Sequence, residues 1–187
     1  MISIILPTFN RSHLLTSTIK NVMAQTFLEY ELIIINDNSS DNTEKIVEEL
    51  QLKDQRIKYI RNDQNVGCAE SRKIGYQQSN GELIVFLDDD DTWDQEKLMK
   101  QYHLLKHTNY DMVISDYYIK QNEKLTYQNM EKFGKSFKNQ ILKAPGPFFQ
   151  SIMITKKIID EMHNPFDCNA VPSEDWNFFI ELAKLNI

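Results

Sequence analysis

The segment GELIVFLDDDDTWDQEKL, residues 81–98, joins a short apolar run to four consecutive aspartates and then to the start of a predicted helix. The run LIVFL at 83–87 is rich in β-branched and aromatic residues, as in a strand buried on both faces. Thr92, with Gln95 three residues later, predicts the start of a helix over 94–107. The segment is therefore predicted to be one strand–loop–helix unit of an α/β domain.

The same alternation recurs through the first part of the chain. Short apolar runs predict four further strands, and apolar spacing and capping residues predict three helices between them. Strands that alternate with helices at this spacing indicate an α/β fold with a mostly parallel central sheet flanked by helices, Rossmann-like in type. The predicted strands are 2–6, 30–36, 57–61 and 111–119, and the predicted helices are 12–26, 41–50 and 68–78.

The regular alternation ends after the fifth predicted strand. Residues 121–147 are mostly polar and run into APGPFF, which indicates loops and turns. One more strand is predicted at 149–155 and a last helix at 173–185. With no internal repeat or low-complexity linker, residues 1–187 are predicted to form a single domain. Because the chain stops close to the end of the last predicted helix, we expect it to be truncated at its C-terminus.

The composition narrows the class of function. The net charge of −6 and the lack of a basic tract argue against a nucleic-acid partner, which needs cations to neutralise phosphates. The two cysteines have no metal-site spacing and fit a reducing compartment. The N-terminus does not resemble a signal peptide, and no apolar run approaches the ~18 residues of a transmembrane helix. We therefore expect a cytoplasmic protein without a transmembrane segment.

Polar side chains follow each of the first four predicted strands. In open α/β sheets, ligands bind outside the carboxyl ends of the strands, so these segments are expected to gather at one binding edge. Asn, Asp and Ser are also ordinary turn and cap residues, and that role is the alternative for each of them. The segments are PTFNR (7–11), NDNSSDN (36–42), NDQNVG (62–67) and DDDD (88–91).

The four aspartates allow three interpretations. Carboxylates about 5–6 Å apart repel by roughly 3 kcal/mol at an effective dielectric near 20, which either full solvation or a cation relieves. Asp91 can be assigned to helix capping, so the first interpretation is a solvated loop that caps the next helix. The second, which we prefer, is a Mg²⁺ or Mn²⁺ site whose open positions take substrate phosphates.

The third interpretation is a phosphatase. The segment VFLDDDDTW resembles the opening motif of the haloacid-dehalogenase-type phosphatases, with Asp88 as nucleophile and Asp90 as acid/base. In that family the motif follows the first strand, and a later lysine and acidic pair are also needed. Here the motif follows the fourth predicted strand, and the later acidic pair Glu174-Asp175 lies at a predicted helix start. We rank this interpretation second.

Six segments in order and spacing resemble the family 2 glycosyltransferases, which have the GT-A fold. The resemblance implies inverting transfer of a sugar from a nucleotide diphosphate sugar, with UDP favoured, to an acceptor hydroxyl, assisted by Mn²⁺ or Mg²⁺. It also implies a nucleotide-sugar-binding half at about 1–118 and an acceptor-side half at about 119–187. The segments are SIILPTFNR, MAQTF, ELIIINDNSSDNT, NVGCAESRKIGY, GELIVFLDDDDTW and SEDWNFFIELA.

The resemblance further implies roles for individual residues. Asp37 and Thr8 resemble nucleoside contacts, and Asp90 with Asp88 resembles the metal ligands of the D-x-D motif. Asp175 resembles the general base that takes the proton from the acceptor hydroxyl. The residues expected to contact the nucleotide sugar are Pro7, Thr8, Asp37, Arg72, Asp88 and Asp89. Those expected on the acceptor side are Glu174 and Trp176.

Other interpretations of these residues stay open. By composition alone, Ser173 is an N-cap with two acids in the first helical turn, and Trp176 is as well explained as a core aromatic. Two positions depart from the family pattern: Asn36 replaces a usual aspartate and Lys73 a frequent asparagine. The expected acceptor is a glycan or lipid-linked glycan in polysaccharide biosynthesis, with peripheral association at the inner face of the membrane. A non-catalytic GT-A-like binding module is a further alternative.

Overall fold

Four strand–helix units make up the first part of the computed structural model, which describes residues 1–143, 146–170 and 173–185. The apolar runs predicted as strands form strands, and β1, β2 and β4 are buried at every residue. The elements are β1 (Ile2–Thr8), α1 (Ser12–Met23), β2 (Tyr30–Asn36), α2 (Thr43–Gln51), β3 (Ile57–Arg61), α3 (Cys68–Gln77), β4 (Leu83–Phe86) and α4 (Lys97–Lys106).

The remaining elements are shorter and less regular. Two of the strands form a separate hairpin, and a single turn of 3-10 helix precedes the last strand. The elements are β5 (Met112–Ile114), β6 (Tyr117–Gln121), β7 (Lys124–Gln128), α5 (Glu131–Ile141), the 3-10 turn (Phe149–Ser151), β8 (Ile152–Thr155), α6 (Lys156–Asp160) and α7 (Glu174–Lys184).

One six-stranded sheet organises the molecule, in the order β3-β2-β1-β4-β8-β5. Strands β3, β2, β1 and β4 are mutually parallel, whereas β8 runs antiparallel to both of its neighbours. Alternate residues of β1 face opposite sides, as the pleat requires: Ile4 packs with Leu15 of α1, and Ile5 lies in the cluster that contains Phe178 of α7. Helices thus cover both faces, and the predicted α/β architecture is confirmed.

Helix α3 approaches the sheet unusually closely. A Cβ atom at Gly75 would lie 2.6 Å from both Ile5 Cγ2 and Ile35 Cδ1, so only glycine fits there. Arg72, three residues earlier in the same helix, is held beside the carboxyl ends of the strands by this contact. The sheet therefore fixes the place of a buried arginine that becomes important at the candidate site.

Several boundaries differ from the sequence-based expectation. The single strand predicted at 111–119 is two strands in different sheets, β5 and β6, with Ser115 and Asp116 between them. The helix predicted from residue 94 begins at Lys97, so Asp91 and Thr92 do not cap it. The strand predicted at 149–155 begins with the 3-10 turn.

The segment 121–147 was wrongly predicted as loop, since it contains β7 and α5. The hairpin strands β6 and β7 are mostly exposed, although KLTYQ in β7 does alternate polar and apolar residues. Helix α5 is interrupted at Ser136, whose φ and ψ of −166° and 65° are not helical, but its apolar residues Phe133, Phe137 and Ile141 recur every four residues, a helical signal that the prediction overlooked. Residues 144 and 145 of APGPFF lie outside the described residues. No helix within the described ranges is long and apolar enough to cross a bilayer.

Candidate active site

A cleft of about 1610 Å³ opens at the carboxyl ends of β1, β2 and β4. Its walls come from the loops after these strands, from α3, from the 3-10 turn and from the first turn of α7. Every residue that the sequence singled out lines this cleft: Pro7, Thr8, Asp37, Arg72, Asp88, Asp89, Asp90, Glu174, Asp175 and Trp176. The structure thus brings together side chains that are up to 169 positions apart in the sequence.

Asp37 follows β2 and is held firmly at one end of the cleft. Its Oδ1 accepts hydrogen bonds from Asn62 Nδ2 at 2.9 Å and from the Val66 N–H at 2.8 Å. Its Oδ2 accepts a bond from the N–H of Gly67 at 2.9 Å. Gly67 has φ of 86°, a left-handed conformation that favours glycine. A carboxylate offers about four acceptor positions, so one position of Asp37 stays open to a ligand N–H.

The four aspartates after β4, residues 88–91, form a turn that we call the acid loop. Asp89 is buried, and its Oδ2 accepts a hydrogen bond from Thr8 Oγ1 at 2.7 Å. Arg11 Nη1 lies 3.0 Å from both Asp89 Oδ1 and Asp90 Oδ2 and so bridges these two carboxylates. Burial raises the pKa of Asp89, although the bonds from Thr8 and Arg11 oppose that rise.

The last aspartate of the acid loop is not a helix cap. Burial, followed by the charges of Asp88 and Asp90, raises the pKa of Asp91 to about 6. Asp90, by contrast, keeps a side chain that is 48% exposed. The acid loop therefore concentrates negative charge that its protein partners only partly offset.

Helix α1 holds the backbone of the acid loop and of the residues that follow it. Thr18 Oγ1 donates to the Asp89 carbonyl at 2.9 Å. Asn21 exchanges hydrogen bonds with both backbone groups of Trp93, and Gln25 Nε2 donates to the Asp94 carbonyl at 2.8 Å. Thr18 and Asn21, three residues apart on one face of α1, and Gln25, just after the end of α1, were all missed in the sequence. The spacing of Thr18 and Asn21 was the signal available for finding those two.

Asp88 links the acid loop to the other wall of the cleft. Its Oδ1 accepts a hydrogen bond from Arg72 Nη2 at 2.8 Å, and its Oδ2 accepts one from Gln150 Nε2. Arg72 is only 3% exposed, and its guanidinium carbon lies 4.7 Å from the centre of the Phe149 ring. Sequence reasoning missed two polar cleft residues that contact the acid loop, Gln150 and Arg11. Gln150 is 62 positions from Asp88 and Arg11 is 78 positions from Asp89, and no local pattern indicates contacts across such separations.

Glu174 and Asp175, which we call the acid pair, face the acid loop across Arg72. Asp175 Oδ1 lies 3.8 Å and Glu174 Oε1 lies 3.9 Å from Arg72 Nη1. The only hydrogen bond to Asp175 among the described residues is a long one, 3.4 Å from the Phe149 N–H. Burial raises the pKa of Asp175 to about 6; Arg72 opposes this rise, and Asp88 and Glu174 add to it.

Aromatic side chains line the cleft beside the acid pair. Trp176 is half-buried, and its Nε1–H donates to the Ile141 carbonyl at 2.8 Å, so the indole is fixed by α5. Phe148 is 49% exposed and packs against Tyr117 of the hairpin with ring centres 5.4 Å apart. This side of the cleft thus offers flat apolar surfaces next to a carboxylate of raised pKa.

The acid loop fits a divalent cation as a partial site. Among the described residues, no group of three or more His, Cys, Asp or Glu side chains is arranged to hold a metal ion by itself. Mg²⁺ and Mn²⁺, however, are commonly held by one or two carboxylates and complete their shell with water and substrate phosphates. The half-exposed Asp90 with Asp88 supplies that donor set, and Arg11 shows that a positive charge is already stabilised there.

Comparison with known proteins identifies the family. The family described as Glycosyl transferase family 2 matches residues 3–169. A relative from Escherichia coli, UDP-Glc:alpha-D-GlcNAc-diphosphoundecaprenol beta-1,3-glucosyltransferase WfgD, is 30% identical over 186 residues. That alignment covers 100% of this chain and 71% of WfgD.

Solved structures share the fold. Residues 1–349 of Staphylococcus aureus TarS, in complex with UDP, give a TM-score of 0.81 at 22% identity, covering 97% of this chain and 54% of that one. The mannosyltransferase PcManGT from Pyrobaculum calidifontis, in complex with GDP-Man and Mn²⁺, gives a TM-score of 0.70 at 15% identity. That match covers 95% of this chain and 50% of PcManGT. This chain thus spans about half of each structure. The predicted GT-A-type fold and glycosyltransferase class are confirmed, and the chain belongs to glycosyl transferase family 2.

Proposed function

We propose that this chain transfers a sugar from a nucleoside-diphosphate sugar to an acceptor hydroxyl, with inversion at the sugar carbon. The observation that carries the proposal is that the acid loop and Asp175 lie on opposite walls of one cleft. The acid loop suits a divalent cation that can in turn bind a diphosphate, and Asp175 has a pKa raised to about 6. An inverting reaction needs this separation, because the base acts on the face of the sugar opposite the leaving diphosphate.

The donor is proposed to bind between Asp37 and the acid loop. Asp37 keeps one acceptor position for a base N–H, and Pro7 and Thr8 form the adjoining wall. Asp88, Asp89 and Arg72 complete the expected set of nucleotide-sugar contacts. UDP is the proposed nucleotide, since the name of WfgD specifies UDP-Glc and TarS was solved with UDP.

Asp90, with Asp88, is proposed to hold Mn²⁺ or Mg²⁺. When bound, such a cation offsets the charge that develops on the diphosphate as the bond to the sugar breaks. The half-exposed carboxylate of Asp90 is accessible from the cleft, as this role requires. The complex of PcManGT with Mn²⁺ supports a divalent cation in this fold.

Asp175 is proposed to be the general base. A carboxylate with few hydrogen-bond donors and a raised pKa accepts a proton near neutral pH more readily than an ordinary aspartate. Glu174 and Trp176 lie beside it and are proposed to contact the acceptor, the indole by stacking on a sugar ring. The two walls correspond to the proposed donor half, about 1–118, and acceptor half, about 119–187.

The acceptor is proposed to be a lipid-linked glycan of polysaccharide biosynthesis. The name of WfgD specifies a sugar carried on diphosphoundecaprenol, a membrane lipid carrier. We therefore propose that the enzyme works at the cytoplasmic face of the membrane by peripheral association. The haloacid-dehalogenase-type alternative is not favoured, because family and relatives point to glycosyl transfer.

The proposal is tested by titration calorimetry of UDP and UDP-glucose, with and without Mn²⁺ or Mg²⁺. We expect UDP to bind only with the cation, and Asp90→Asn to abolish that binding. Asp63→Asn is the control, since Asp63 is an exposed aspartate of the loop after β3 that does not line the cleft. If no nucleoside diphosphate bound with either cation, the proposal would fail, and release of phosphate from phosphate esters would be assayed instead.

A further inference from the structure

Arg72 lies between the two carboxylate groups of the cleft. One nitrogen, Nη2, is hydrogen-bonded to Asp88 at 2.8 Å, and the other, Nη1, lies 3.8 Å from Asp175. The guanidinium also stacks over the Phe149 ring, and the close packing of Gly75 on the sheet fixes its helix. Arg72 is therefore a rigid cation in contact with both walls at once.

The 3-10 turn contacts the same two aspartates from the other side. Gln150 donates through Nε2 to Asp88 Oδ2, and the neighbouring Phe149 N–H donates to Asp175 Oδ2. Each oxygen of Asp88 thus has one protein donor, one from Arg72 and one from Gln150. Asp175 Oδ1 lies 3.8 Å from Arg72 Nη1, and Asp175 Oδ2 accepts the 3.4 Å bond from the Phe149 N–H, so Asp175 contacts Arg72 and the backbone of the 3-10 turn.

Several polar atoms around this arrangement lack a partner. Buried polar atoms normally form hydrogen bonds, so unpaired ones in a native structure call for an explanation. Within the described residues, no hydrogen bond reaches the buried atoms Arg72 Nε, Arg72 Nη1, Gln150 Oε1 and Glu174 Oε2. A shift of about 1 Å would bring Nη1 into hydrogen-bond range of the acid pair. Catalytic contacts of this kind are often long without substrate and tighten when it binds.

We propose that Arg72 and the 3-10 turn that carries Gln150 form a positioning bridge that fixes the Asp175 carboxylate relative to Asp88. The proposal rests on the proposed function, in which Asp88 belongs to the donor wall and Asp175 is the base. The bridge sets the distance between the base and the leaving diphosphate, which the reaction geometry requires. It gives Arg72 a role beyond its expected contact with the nucleotide, and it gives Gln150 a role in holding Asp88.

The experiment compares wild type, Arg72→Met, Arg72→Lys and Gln150→Met by UDP calorimetry and by the rate of sugar transfer. We expect Arg72→Met to lower kcat about 100-fold, as a small misplacement of a reacting group does, in addition to the loss of UDP affinity that follows from its contact with the nucleotide. Gln150→Met should show the same pattern in weaker form. Arg72→Lys keeps the charge but cannot span both aspartates, so its kcat should lie between those of Arg72→Met and wild type.

The pH dependence of kcat/KM separates this bridge from a merely structural role. The groups that face Asp175 are Arg72, Asp88, Glu174 and the Phe149 N–H. Arg72 lowers the pKa of Asp175, so Arg72→Met should move the acidic limb of kcat/KM to higher pH, and Arg72→Lys should leave that limb near its wild-type pH. If Arg72→Met reduced UDP affinity as much as kcat/KM and left that limb unmoved, Arg72 would be only a nucleotide contact.

Matched controls keep the result interpretable. Arg56 also stacks on an aromatic ring, 4.1 Å from the centre of Tyr30, and pairs with an aspartate, Asp54, but it does not line the cleft. Arg56→Met should therefore reduce thermal stability and leave kcat unchanged. If Arg72→Met did not fold, Arg72→Lys and Gln150→Met would decide the matter by the same readouts. A wild-type chain that neither bound UDP nor transferred sugar would overturn the proposed function and the bridge together.

Discussion

Asp37 and Asp175 both line the cleft, but their surroundings are opposite in kind. Three donors at 2.8–2.9 Å surround Asp37, and two of them are backbone N–H groups of the loop before α3. Asp175 has one N–H at 3.4 Å and one guanidinium nitrogen at 3.8 Å. The two aspartates therefore lie in one cleft but are hydrogen-bonded to very different extents.

This difference separates an anchor from a reactive group. Hydrogen bonds to a carboxylate favour its charged form and fix its position, whereas burial without them disfavours the charge. Asp37 joins the loop before α3 to the end of β2, which suits a fixed contact for a nucleoside base. Asp175 has the raised pKa that suits proton transfer. The comparison predicts that substitutions at the two sites have different consequences.

The largest effect is expected from Asp175→Asn. The substitution keeps the shape of the side chain but removes the proton acceptor, so the transfer rate should fall by about 10²–10⁴-fold. UDP affinity and melting temperature should stay close to wild type, since Asp175 contributes little hydrogen bonding to the fold. Steady-state transfer assays and UDP calorimetry measure the two properties separately. Transfer at the wild-type rate would remove Asp175 as the base.

The next effect concerns pH. Because Asp175 must be ionised to accept a proton and its pKa in the free enzyme is raised to about 6, kcat/KM should be constant at higher pH and fall below about pH 6. The fall should approach tenfold per pH unit, and it should be absent from the residual rate of Asp175→Asn. An acidic limb near pH 4, the value for an ordinary exposed aspartate, would show that the pKa of the base is not raised.

The sequence predicted the regular part of the molecule well for a physical reason. Buried parallel strands and capped amphipathic helices leave local patterns, and both β2 and the helix that begins with Glu174 were found in this way. Proximity of the strand ends then followed from the topology of parallel sheets, so the cleft itself was predictable. The specific resemblance supplied the expected roles of Asp37 and Asp175, which the patterns alone left open.

The parts of the candidate site that the sequence did not predict depend on contacts that no local pattern encodes. Gln150 reaches Asp88 across 62 positions, and it lies in a segment whose apolar neighbours predicted a strand. Arg11 looked like an ordinary residue of a polar loop, yet it bridges two aspartates of the acid loop. The hairpin and α5 were missed although they carry weak local patterns: Leu125 and Tyr127 alternate in β7, and Phe133, Phe137 and Ile141 recur every four residues in α5, but both lie within a mostly polar segment.

The smallest effect on the transfer rate is expected from Asp37→Asn, which is also the sharpest test of Asp37 as an anchor. Asparagine has a single acceptor oxygen and brings two donors of its own, so it cannot satisfy all three groups that now converge on Asp37. A buried N–H left unpaired costs about 1–3 kcal/mol, which lowers the melting temperature by several degrees in a chain of this size. UDP affinity should fall with it, whereas kcat at saturating donor should change little.

Asn62→Ala is the matched control for that prediction. It removes one donor from Asp37, at 2.9 Å, but leaves both backbone N–H groups paired. The expected loss of stability is about 1 kcal/mol, and UDP should still bind because the carboxylate remains in place. If Asp37→Asn reduced kcat as strongly as Asp175→Asn does, then extent of hydrogen bonding would not distinguish anchor from base in this cleft. If only stability and UDP affinity fell, each aspartate would have the role that its bonding indicates.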